Sequence, residues 1–241
     1  MYYINTPNKR SNVVTLEKKK RKAISSDPNL MLIYGPPKIG KTTILSQLDN
    51  CLIIDTERGA NMVEGYIEEV NNREELIELI LKAKEGHDYK YCALDTIDKV
   101  VEWAEHQVCA EESVRAIADL PFGKGFGLVR EKVINTVQTL KAIFPRVIIV
   151  GHRKTAKAIL EGQAMVEPES LDITGKLKNM LMSACDAIGY VFRNEDEDGN
   201  SELMISFKSN GALEAGSRSP HLRGKEMQFN WKHIYKDKES K

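Results

Sequence analysis

Apolar residues in this chain fall into short runs separated by amphipathic stretches. The runs at 31–34, 51–55, 91–95 and 146–151 are nearly continuous, as in strands buried on both faces. Between them the apolar positions recur every three or four residues, which predicts helices. One helix spans 73–84 with Leu76, Ile77, Ile80 and Leu81 on its apolar face, and Asn72 with Glu75 forms a capping box at its start. A second begins near Ile97, with Ile97, Val100, Val101, Ala104 and Val108 on one stripe. A third carries Val129, Val133, Val137 and Leu140. A fourth covers 174–185, with Leu177, Met180, Leu181 and Ala184 facing inward. Two further runs, 187–193 and 202–208, flank Asp198-Gly199 and read as a hairpin. Strands alternating with helices in this way predict an α/β fold. Residues 209–241 show no clear pattern, and the acidic stretch 57–85 reads as a solvated face.

The first strand runs into Gly35-Pro36-Pro37-Lys38-Ile39-Gly40-Lys41-Thr42-Thr43. This is the spacing of a phosphate-binding loop, with a strand before it and a helix pattern after it, as the motif requires. Glycines let successive backbone N–H groups turn toward one anion. Lys41 is predicted to reach the β- and γ-phosphates of ATP, and the Thr42 hydroxyl to hold Mg²⁺. Pro37 removes one N–H from the cradle, and Lys38 adds a charge beside it.

The other strands end in chemistry-bearing residues. The second closes on Asp55-Thr56-Glu57, at the strand end where α/β folds place their chemistry. The third closes on Asp95, which reads either as a magnesium-ordering Walker B aspartate or as the cap of the next helix. The fourth is followed by His152-Arg153-Lys154, where His152 either touches the γ-phosphate or makes a loop-start hydrogen bond.

Composition narrows the partners. Thirty-five basic and thirty-five acidic residues cancel, so binding to nucleic acid would need a local patch. Residues 1–29 form a basic arm with seven positive charges against Glu17 and Asp27, read either as a solvated leader or as a contact to DNA or a second subunit; residues 30–241 are read as one domain. At 119–127, three alternate glycines, Phe122, Phe126 and Lys124 suit stacking on single-stranded bases, or a tight connector with its rings turned inward. The long segment 153–171 lacks periodicity and carries Arg153, Lys154 and Lys157. The four cysteines lie far apart and suggest reduced, buried thiols rather than a disulfide framework. No run approaches membrane-spanning length, so a soluble intracellular protein with no membrane partner is expected.

Taken in order, these blocks resemble the RecA-like ATPase core over roughly residues 30–210. The likeness is nearest to compact phage nucleotide-binding or ATP-dependent single-strand annealing proteins. It rests on Tyr34-Gly35-Pro36-Pro37, Asp55-Thr56-Glu57-Arg58-Gly59, Leu94-Asp95-Thr96-Ile97-Asp98, Gly151-His152-Arg153-Lys154 and Leu171-Asp172-Ile173-Thr174-Gly175-Lys176-Leu177. The resemblance implies a mainly parallel sheet in the order 5-1-4-3-2, counting the predicted strands, with the hairpin at its end. It implies Mg-ATP hydrolysis with Glu57 activating water, Lys41 and His152 at the phosphates, and Thr42 and Asp95 at the metal. Lys208 would act in a neighbouring subunit's site, alone or with Arg218, since Asn210 replaces the family's second lysine. His152 stands where the family has a glutamine.

It implies single-stranded DNA bound through Lys124, Phe126, Arg153, Lys154 and Lys157, a ring or filament of identical subunits, a single-strand binding protein as a further partner, and residence in a phage host's cytoplasm. A translocating helicase or loader, an ATP-gated binding module without turnover, and a metabolite kinase are the rival classes. Glu57 and the long segment after His152 would be unexplained in the kinase.

Overall fold

The structure, a computed structural model, describes residues 26–154, 169–173, 175–195, 199–209 and 213–236. Most of the basic arm, Lys157, Thr174, Asp198 and Asn210 lie outside the described residues.

Among the described residues, nine strands form one sheet. Strands β1 (Leu30–Gly35), β2 (Cys51–Asp55), β4 (Tyr91–Asp95) and β5 (Arg146–His152) are the buried runs of the sequence. With β3 (Tyr66–Glu69), β6 (Ala187–Glu195), β7 (Ser201–Ser206) and β9 (Glu226–Gln228), the order across the sheet is β3-β2-β4-β5-β1-β6-β7-β9, and β8 (Gly216–Ser217) pairs with β6. Reading the five predicted strands back through this order gives 5-1-4-3-2. Strands β3 to β6 along the path are parallel, and β7, β8 and β9 are antiparallel. This is the RecA-like arrangement of a P-loop NTPase fold.

Parallel strands covered on both faces need apolar residues at every position, which is why β1, β2 and β4 are buried along their whole length. Their side chains feed two cores. On one face, β1, β2, β4 and β5 meet α2 (Arg73–Glu85), α3 (Ile97–Glu111), α4 (Lys124–Ile143) and α5 (Gly175–Ala184). On the other, Met31, Ile33, Ile53 and Val150 pack with α1 (Lys41–Ser46) and with Trp231 and Ile234 of α6 (Trp231–Ile234).

Several expectations are corrected. Of the four apolar positions predicted to face inward on α2, only Leu76 and Ile80 are buried, while Ile77 and Leu81 are exposed. Helix α2 lies at the flank of the layer, so its neighbours cover only a narrow stripe. On α5, Leu177 and Leu181 are buried but Met180 and Ala184 face outward. The acidic stretch after Glu57 is solvated as expected, with Tyr66, Glu68 and Glu69 exposed, but it also contains the unforeseen edge strand β3. The segment 119–127 is not an open loop: two single-turn 3₁₀ elements, 117–119 and 121–123, lead directly into α4. Residues 26–29, read as the end of the arm, are tied to the sheet. Asp27 is buried against Arg146, and the Asn29 N–H donates to Asp186.

Candidate functional site

The tips of β1, β2, β4 and β5 bring together residues that are far apart in sequence. The parallel register sets Asp55 beside Asp95, Asp95 beside Val150, and Gly35 beside His152.

The loop after β1 reverses through two positions of positive φ, Lys38 (60°) and Gly40 (108°). Alternating handedness points backbone N–H groups into one concavity, the geometry of an anion nest. Gly40 suits this because it lacks the Cβ that makes such a φ costly. Gly35 is needed for a different reason: a Cβ there would run into the Val191 carbonyl oxygen of β6.

Lys41 is buried, and its ammonium donates to the carbonyls of Gly35 (3.1 Å) and Pro36 (2.8 Å). Burial lowers its pKa, and the negative charges of Asp95, Asp98 and Glu57 oppose that shift. Thr42 donates its hydroxyl proton to Asp95 Oδ2 at 2.6 Å. Asp95 is itself buried, and desolvation raises its pKa, while the Thr42 hydrogen bond and Lys41 act in the other direction.

The test for Mg²⁺ is the chemistry of the donors. A hydroxyl and a carboxylate in contact at the mouth of a phosphate cradle are hard oxygen donors, and Mg²⁺ is bound by one or two such groups together with substrate phosphates. Among the described residues no cluster of three or more His, Cys, Asp or Glu forms an all-protein cage. The pair fits a magnesium bound jointly with a nucleotide.

Glu57 follows β2 in a turn organised by Asp55. The buried Asp55 carboxylate accepts from the backbone N–H groups of Glu57 (3.0 Å), Gly59 (3.2 Å) and Ala60 (2.8 Å). Thr56 ties this turn to β4, accepting at its hydroxyl from Thr96 N–H (2.8 Å) and donating its own N–H to the Asp95 carbonyl (2.7 Å). The Thr96 hydroxyl then donates to Glu57 Oε1 (3.0 Å). His152 Nε2 faces Glu57 Oε2 at 3.9 Å, and its Nδ1 lies 3.4 Å from Asp98 Oδ2. The Asp98 hydrogen bond raises the His152 pKa against the opposing effect of burial.

Sequence reasoning missed Asp55, Thr96 and Asp98 as supports of this site. Asp55 alone left a trace, since Asp before a Thr-Glu-Arg-Gly turn suits a side chain bonding to backbone just downstream.

The other sequence-predicted residues lie elsewhere. Lys124 pairs with Glu112 (2.6 Å), and Phe126 is exposed. Arg153 is part-buried, pairing with Glu169 (2.7 Å) and reaching the Tyr190 hydroxyl. Lys154 donates its N–H to the Ser170 carbonyl. Phe122, Phe126, Asp172, Ile173, Gly175 and Leu177 are among the residues lining a cavity of about 600 Å³ that Asp98 also borders. Lys208 is exposed and follows β7; Ser206 of β7 pairs with Tyr190, which pairs with Tyr34, so the chain at Lys208 is already heading away from the P-loop end of the sheet. Arg218 is bonded to Asp186 and to the Ser183 carbonyl at the opposite end. Cys51, Cys92 and Cys185 are buried. No described helix is long and apolar enough to cross a membrane.

A nest closed by Lys41, a Thr42–Asp95 pair and acidic residues at the neighbouring strand tips, on a sheet of this order, define a RecA-like P-loop NTPase fold. The sequence profile of the AAA domain family matches residues 27–219, and the chain belongs to that family. No curated protein matches it significantly. Among solved structures it is similar to the crystal structure of the RadB recombinase, at 15% identity and a TM-score of 0.48, covering 83% of this chain and 86% of that one.

Proposed function

We propose that this protein is a Mg-ATP-dependent ATPase that acts as an oligomer on single-stranded DNA, in annealing or strand exchange of the phage recombination type. The observation that carries the reading is the meeting of Lys41, the Thr42–Asp95 pair, Glu57 and His152 at one end of the sheet. The backbone of Gly35-Pro36-Pro37-Lys38-Ile39-Gly40 cradles the phosphates, with Thr43 at the start of α1. Lys41 exchanges its two carbonyl partners for β- and γ-phosphate oxygens. Thr42 and Asp95 would hold Mg²⁺, which when bound would supply charge neutralisation at the phosphates.

Glu57 orients a water for attack and accepts its proton, and His152 contacts the terminal phosphate. A neighbouring subunit completes the site with Lys208, so turnover depends on assembly. DNA runs past Lys124, Phe126, Arg153, Lys154 and Lys157, where Phe126 offers a stacking face and the cations neutralise phosphates. A single-strand binding protein is a further partner, and the setting is the cytoplasm of a bacterial host.

The test is ATP turnover with and without single-stranded DNA, read beside oligomer size and strand pairing. Stimulated turnover in the assembled state together with annealing supports the reading. ATP-driven directional unwinding would replace it with a translocating ring or loader, and ATP bound without phosphate release would replace it with a gated binding module.

A further inference from the structure

His152 is held by Asp98 more closely than by any phosphate-site residue. Asp98 sits in the first turn of α3. Its Oδ2 accepts from the His152 backbone N–H at 3.2 Å and lies 3.4 Å from the ring Nδ1. One carboxylate oxygen thus fixes both the strand end and the ring. With Nδ1 turned to Asp98, the ring's other nitrogen, Nε2, is the atom that faces Glu57 Oε2 at 3.9 Å. A carboxylate that holds one ring nitrogen of a histidine sets which atom the other end presents.

We infer that Asp98 is a positioning residue: it locks His152 with Nδ1–H toward α3, so that Nε2 is presented to Glu57 and the phosphate cradle. The inference rests on the reading of Glu57 as the base. Its consequence is a choice of protonation state. The charged groups facing His152 are Asp98 from α3, Glu57 from the turn after β2 and Lys41 from α1. The two carboxylates favour the imidazolium and Lys41 disfavours it. As imidazolium, His152 turns a protonated Nε2–H toward the Glu57 carboxylate and toward an incoming phosphate oxygen. As the neutral ring with Nδ1 protonated, it offers Glu57 only a lone pair. Asp98 therefore extends the pH range over which His152 is a donor. Asp98 also borders the cavity beside Phe122 and Phe126, so its carboxylate touches both that cavity and the histidine at the site.

The experiment is histidine-selective ¹⁵N NMR on the full chain, whose five histidines are separated by the resonance lost in His152→Gln. Above its pKa, His152 in the unmodified protein is expected as the Nδ1–H tautomer; the Nε2–H tautomer overturns the inference. In Asp98→Asn the proton affinity of His152 should fall about ten-fold, one pKa unit; an unmoved titration overturns it. Turnover should drop about ten-fold in Asp98→Asn with ATP affinity within about two-fold of normal, and the alkaline limb of its pH profile should move to lower pH. In a His152→Gln background the same substitution should cost nothing further; an equal cost there would mean that Asp98 serves only the fold. The tautomer and titration need no ATP turnover, so a protein that fails to hydrolyse ATP but shows both would refute the hydrolytic reading and leave the placement of His152 standing.

Discussion

Thr42 and Asp95, fifty-three residues apart, share a hydrogen bond of 2.6 Å between hydroxyl and carboxylate. It joins the P-loop to the tip of β4 across the intervening strand β5, and it favours the charged form of Asp95 against the upward push of burial on its pKa. On the proposed reading, removing the hydroxyl takes away a magnesium ligand as well as one support of the Asp95 charge. Thr42→Ala is therefore expected to raise the Mg²⁺ needed for half-maximal nucleotide binding about ten-fold or more. Titration of a fluorescent ATP analogue against Mg²⁺ checks this, and an unchanged midpoint would remove Thr42 from the metal site.

Gly35 is predicted to tolerate no side chain. The Cβ of Gly35→Ala would meet the Val191 carbonyl, a backbone atom in the middle of a sheet, so the strands must part. Overpacking of this kind costs about 1–3 kcal/mol, which corresponds to a melting point lower by roughly 3–10 °C for a chain of this size. Gly59→Ala is the control: nothing lies within 4 Å of the added atom, and φ is −85°. Its melting point should stay within about 2 °C of the parent. Equal loss in both variants would contradict the account of Gly35.

Stability should depend on pH through His152. Its folded pKa lies above the ordinary value because of the Asp98 hydrogen bond, despite partial burial. A raised folded pKa means that the stabilisation is fully present below the unfolded pKa of about 6.5 and is lost as pH climbs through the folded one. The melting-point gap between wild type and His152→Gln should thus be wider at low pH than at alkaline pH. A gap that widens with rising pH would reverse the sign of the interaction.

The C-terminal segment braces the nucleotide loop. Trp231 of α6 donates its indole N–H to the Ile44 carbonyl of α1 at 2.5 Å, giving a second donor to an oxygen that also accepts the Gln47 N–H at the helix C-cap. The ring is buried and stacks on Tyr235. Trp231→Phe should cost about 1 kcal/mol for the lost bond, and Trp231→Ala about 3–5 kcal/mol for the cavity as well. Denaturant melts resolve the two, and a null result in both would mean that α6 contributes nothing to α1.

The sheet was legible because β1, β2, β4 and β5 are buried on both faces, so each is an unbroken apolar run. The edge strand β3 was not: Tyr66, Glu68 and Glu69 face solvent, and its ladder to β2 is made by backbone, which has no residue signature. The same holds for β8 and β9, which are two and three residues long. The helices were found with stripes too wide, since apolar spacing predicts Ile77 and Met180 inward while packing covers only part of each face. Within the site, Lys41, Thr42, Asp95, Glu57 and His152 end or follow strands and were visible from that position. Asp98 and Thr96 were hidden. Their roles depend on β4 lying between β2 and β5, a neighbourhood set by chain topology rather than by local spacing.

The central claim is hydrolysis of ATP with Glu57 as base, and its most direct test is phosphate release from Mg-ATP by wild type and Glu57→Gln, with nucleotide affinity measured in parallel. Wild type should release phosphate with single-stranded DNA present, and Glu57→Gln should bind ATP normally while turning over about 10²–10⁴-fold more slowly. Equal phosphate release by the two proteins would contradict the account.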